Sequence, residues 1–85
     1  MLKPRADITV EEIDGEVVVL DQHGEKIHRL NATASYIWKR CNGNTPLAAI
    51  VADFAAQFDV TSNVAQTDVA RTLAELRALS LLVET

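Results

Sequence analysis

An α+β fold, with an N-terminal three-stranded antiparallel sheet followed by three α-helices, is the architecture this 85-residue sequence predicts. Three observations carry it. The first third has strand-like apolar patterning cut by two turn signals, Asp14-Gly15 and Asp21-Gln22-His23-Gly24. The pattern then changes abruptly across Leu30-Asn31-Ala32-Thr33. From Ala34 onwards apolar residues recur at three- and four-residue spacing, as on one face of a helix.

Residues 1–6 read as a loose tail, because Pro4 interrupts regular structure. Ile8, Val10 and Glu12 alternate with Thr9, Glu11 and Ile13 as a first strand. Asp14-Gly15 is the dipeptide preferred where both central residues of a tight hairpin need positive φ. Glu16-Val17-Val18-Val19-Leu20 is apolar on both faces and belongs in the middle of the sheet. The third strand, Glu25-Lys26-Ile27-His28-Arg29-Leu30, puts Lys26, His28 and Leu30 on one face and Glu25, Ile27 and Arg29 on the other. In a meander of this order the third strand is an edge, open on one side.

Asn31 or Thr33 caps the first helix, whose inward residues are Ala34, Ile37, Trp38 and Cys41; Gly43 ends it. Thr45-Pro46 supplies a capping hydroxyl and a proline at the first helical position of the second helix. Its apolar stripe is Leu47, Ile50, Val51, Phe54, Ala55 and Phe58. The third helix starts between Asn63 and Thr67, with Val69, Leu73 and Leu76 inward and Leu79 beside them. Ser80-Leu81-Leu82-Val83 packs back on the sheet or the bundle. Two helices joined by a short turn give the whole a winged helix-turn-helix-like outline.

Bulk properties narrow the function. The length fits one domain, residues 1–85, and a 48% hydrophobic content suffices for a packed core. One cysteine excludes an internal disulfide. With no signal-like N-terminus and no membrane-length apolar run, the expected compartment is the cytoplasm, with no membrane partner. A net charge of −4 disfavours nucleic acid, and the third helix offers only Arg71 and Arg77 against Asp68 and Glu75.

No constellation supports catalysis, a metal or a cofactor. His23 reads as a solvated turn residue, His28 as a hydrogen-bonded group at the sheet–helix junction, and Cys41 as a small core residue. The carboxylates Glu11, Glu12, Asp14 and Glu16 read as a solvated strand and turn, and the aromatics as core. The three glycines are each explained by a turn, which leaves no phosphate-binding loop. The expectation is therefore a protein that is not an enzyme.

The run Leu30-Asn31-Ala32-Thr33-Ala34-Ser35-Tyr36-Ile37-Trp38, then Cys41-Asn42-Gly43, Ile50-Val51, Phe58-Asp59-Val60, and the close from Asp68-Val69 to Leu82-Val83-Glu84 resemble the PqqD-like family. Its members are also called RiPP precursor-peptide recognition elements. The resemblance implies a non-catalytic domain that binds the leader of a ribosomally made precursor peptide. It passes that peptide to a modifying enzyme such as a radical SAM enzyme, a peptidase or a cyclase. It also implies that the leader adds a strand to the third strand and lies between it and the third helix. Carried over by position, the peptide-binding residues are Lys26, Ile27, His28, Arg29 and Leu30 on the strand, and Asp68, Arg71, Thr72, Glu75 and Leu79 on the helix. The locally basic strand favours a leader with apolar anchors and a carboxylate near them. The alternatives are a winged-helix transcription regulator, a regulatory subunit, or a dimerisation module in which exposed edges pair into a homodimer.

Overall fold

The structure is a computed structural model that describes residues 1–84. Its elements are β1 (Leu2–Pro4), β2 (Ile8–Ile13), β3 (Glu16–Asp21), β4 (Lys26–Arg29), α1 (Ala32–Arg40), α2 (Leu47–Phe58), α3 (Ser62–Ala78) and β5 (Leu82–Glu84). The three predicted strands are β2, β3 and β4, antiparallel in that order, and the three predicted helices follow them.

Asp14 and Gly15, at φ 53° and 82°, form the two-residue hairpin between Ile13 and its partner Glu16. At the next turn the Asp21 carboxylate accepts from the N–H groups of His23 and Gly24. There Glu25, rather than Gly24, carries the left-handed φ of 53°. Val17 and Val19 enter the core, while Val18 is buried on the opposite face between its partners Glu11 and Arg29.

The switch from sheet to helix is held by one hydroxyl. Ser35, almost fully buried, accepts from the Val17 N–H at 2.9 Å and donates to the Leu30 carbonyl at 3.2 Å. It thus replaces a ladder rung where β4 leaves the sheet. Asn31 caps α1 by accepting from the Ala34 N–H.

At α2 the expected cap differs. Pro46 occupies the N-cap itself, and the Thr45 hydroxyl donates to the Asn42 side chain instead. Leu47, expected in the stripe, is 54% exposed because it sits at the rim of the first turn, ahead of buried Ile50 and Phe54. α3 begins at Ser62, one residue earlier than predicted, with the Thr61 hydroxyl capping it. Its inward line is Ala65, Val69, Leu73 and Leu76. It ends in a Schellman turn: the Ser80 N–H donates to Arg77, the Leu81 N–H donates to Leu76, and Ser80 sits at φ 60°.

The N-terminus departs from expectation. Residues 2–4 are not a loose tail but pair antiparallel with β5, Leu2 opposite Glu84 and Pro4 opposite Leu82. The Arg5 N–H continues the pairing by donating to Leu81, and the Gly43 N–H donates to Leu2. Pro4 is tolerated because β1 is an edge of a two-stranded sheet, where a missing donor can face outwards. Buried Leu81 and Leu82 join the strands, α1, α2 and α3 in one core. None of the described helices is long and apolar enough to cross a membrane.

Candidate functional site: the open edge of β4 and its cleft

The Leu30 N–H donates to the Val17 carbonyl at 2.9 Å, which fixes the phase of the β3–β4 ladder. By antiparallel alternation, Lys26, His28 and Leu30 turn their backbone groups towards β3, whereas Ile27 and Arg29 turn theirs away. Among the described residues no strand lies beyond β4 and nothing bonds the outward groups of Ile27 and Arg29. The Ile27 side chain is 72% exposed, on the sheet face away from the core.

On the core side, β4 borders an open cleft lined by Arg5, Asp21, His23, Gly24, Lys26 and His28, with Ala78, Leu79 and Ser80 as the opposite wall. At its edge one guanidinium makes three bonds. Arg5 Nη2 donates to Asp21 Oδ1 at 2.6 Å, Nε to Asp7 Oδ1 at 2.6 Å, and Nη1 to the Ser80 carbonyl at 3.0 Å. Asp21 is buried, and desolvation works to raise its pKa. The Gly24 and His23 N–H groups and the Arg5 charge outweigh that, so its carboxyl lies below the usual range. The Arg5 bond likewise lowers Asp7.

The ten predicted positions divide into four groups. Lys26, His28 and Leu79 meet in the cleft, and Lys26 has no acidic partner among the described residues. Ile27 and Arg29 supply the outward edge, Arg29 being already paired with Glu16 at 3.1 Å. Leu30 is in the core, with both backbone groups committed to Val17 and Ser35. Along α3, Asp68, Thr72, Glu75 and Leu79 share a flank, opposite the one where Ala70, Ala74 and Arg77 face Leu2, Leu47 and Ile50. Asp68 binds Arg71 at 3.2 Å. At 1.5 Å per residue, this pair lies roughly 12–16 Å up the helix from Leu79.

Sequence reasoning missed Arg5 and Asp21. No local spacing joins residues sixteen positions apart to the end of α3, 75 positions from Arg5. Cys41, by contrast, is buried as expected, and burial pushes its thiol pKa up to about 11, so it is an unreactive core group.

A family profile described as coenzyme PQQ synthesis protein D (PqqD) matches residues 16–82, from β3 through α3 to the start of β5. The chain belongs to the PqqD family. Among solved structures, this PqqD-family chain is similar to TbiB1 in complex with the TbiA(beta) leader peptide. The TM-score there is 0.86 at 26% identity, covering 94% of this chain and 93% of that one. It is also similar to lasso peptide synthetase B1 complexed with the leader peptide, with a TM-score of 0.87 at 23% identity and 96% of each chain covered; at that identity the likeness concerns the fold. No curated protein sequence matches significantly. Within this PqqD-family fold, β1, β2 and Arg5 lie outside the matched segment.

Proposed function

We propose that this protein, acting as a single recognition domain over residues 1–85, is a non-catalytic adaptor. It captures the extended leader of a ribosomally made precursor peptide along the outer edge of β4 and presents it to a modifying enzyme. The observation that carries this reading is the unpaired outward backbone of Ile27 and Arg29 beside a cleft walled by α3. An added strand recovers hydrogen bonds there, and alternate side chains reach the two sheet faces. Family membership supports the reading, as does a structural neighbour solved with a leader peptide.

In this reading Ile27 and Arg29 contribute backbone pairing. Lys26, His28 and Leu79 contact the leader residues that point into the cleft, with Thr72 and Glu75 next to them. Asp68 and Arg71 meet only a longer leader that continues along α3. Leu30 acts through its place in the core, holding β4 in register. The receiving enzyme belongs to the classes that act on such precursors: a radical SAM enzyme, a peptidase or a cyclase. The compartment is the cytoplasm, and the binding form is the monomer, since a self-paired edge cannot also take a leader.

The test is titration of isotope-labelled protein with the TbiA(beta) leader peptide and with peptides selected on it from a random display library. The expected result is amide perturbation concentrated at residues 26–30 and 72–80. Saturable binding whose perturbations map elsewhere overturns the assignment. Salt-sensitive binding to duplex DNA without peptide capture favours the regulator instead.

A further inference from the structure

Both walls of the β4–α3 cleft are attached to one side chain from outside the family-matched segment. Arg5 reaches Asp21 at the end of β3, whose carboxylate in turn orders the β3–β4 turn through the His23 and Gly24 N–H groups. The same guanidinium reaches the Ser80 carbonyl, in the left-handed turn that ends α3 beside Leu79. The backbone of Arg5 is itself fixed by its N–H bond to Leu81, as the last rung after the β1–β5 ladder. Direct packing joins α3 to α1, α2 and β5, while β4 packs on β3. α1 packs on both β3 and α3 and couples the sheet to the bundle from the far side, so the Arg5 bridge is the direct polar link between the β3–β4 turn and the end of α3.

We infer that Arg5 is a positioning residue for peptide capture: it sets the gap between β4 and the end of α3 and holds the cleft at the width of one added strand. This rests on the reading of the cleft as a peptide groove. A guanidinium suits the task because its planar fork bonds two carboxylates and a carbonyl at once; an ammonium lacks that fixed geometry. The N-terminal segment thereby becomes part of the recognition apparatus, although it need not touch the peptide.

The experiment compares Arg5→Gln and Arg5→Lys with wild type, using Thr61→Ala as a control that weakens the fold at the far end of α3. All measurements are made where every variant is fully folded. In the free protein, Arg5→Gln is expected to speed amide exchange at His23, Gly24 and Leu81 while leaving Val69 and Leu73 as in Thr61→Ala. With the display-selected peptide as probe, Arg5→Gln should lose about tenfold or more in affinity, Arg5→Lys should lie between it and wild type, and Thr61→Ala should bind as wild type. Unchanged exchange at the turn and at Leu81 in free Arg5→Gln overturns the proposal. So does undiminished affinity in that variant, and that outcome leaves the adaptor function standing. A wild-type protein that captures no peptide overturns the adaptor function and this proposal with it.

Discussion

Ser80 and Glu25 are non-glycine residues in left-handed backbone, at φ 60° and 53°. Side chains other than glycine incur steric repulsion there, on the order of 1 kcal/mol. Ser80→Gly is therefore expected to raise the unfolding free energy obtained from urea titration by up to about 1 kcal/mol, with the loss of unfolded-state restriction offsetting part of the gain. Glu25→Gly should behave likewise. Ser35→Ala has the opposite sign: it leaves the Val17 N–H and the Leu30 carbonyl buried without partners and should cost about 2–3 kcal/mol in the same measurement. Asp14-Gly15 and a polar cap at Asn31 or Thr33 were legible in the sequence, since each is a local conformational requirement met by the right residue type; Gly43 takes the left-handed backbone expected of it, at φ 83°, but two residues beyond the Cys41 cap. Ser35 was not. Its partners are eighteen positions back and five positions back, and a serine within an apolar helix face carries no signal of that bridge.

At the scale of the element, the β4 edge makes the sharpest claim. Proline at Ile27 removes an outward N–H and leaves the β3 ladder intact, whereas proline at His28 removes an inward donor. Ile27→Pro is accordingly expected to stay folded and to lose peptide binding by titration; His28→Pro should lose stability as well. Charge reversal separates two neighbours. Lys26→Glu should weaken an acidic peptide more than Arg29→Glu does, because Arg29 is already neutralised by Glu16. Comparable losses in both variants would contradict that ranking. Strand order and the edge position of β4 followed from the two turn signals between successive strands, and Val69, Leu73 and Leu76 on the inward line of α3 from helical periodicity. Leu47 and the Pro46 cap did not, because a helix start is decided by where the preceding loop bonds, here on Asn42.

For the whole molecule, acid should loosen the junction of the chain's beginning, turn and end. Asp7 is held below the ordinary carboxylate range by Arg5, Asp21 by the Gly24 N–H together with Arg5 and the His23 N–H, and Glu84 by the N-terminal amine of Met1. Groups with lowered folded-state pKa stabilise above their unfolded value of about 4, and that contribution disappears as pH falls through the folded values. Thermal unfolding followed from pH 6 down to pH 2 should show a decline below about pH 4 that is shallower in Arg5→Gln. This junction was the least legible part of the sequence. It joins residues 2–5 to residues 80–84, and a three-residue strand containing proline has no pattern of its own. The same pairing has a practical corollary. Leu2 and Glu84 are opposite one another, so entry and exit are about one strand spacing, roughly 5 Å, apart. A protein engineer could splice residues 2–84 into a surface loop of an unrelated scaffold as though replacing a hairpin tip, leaving the rim of β4 facing solvent.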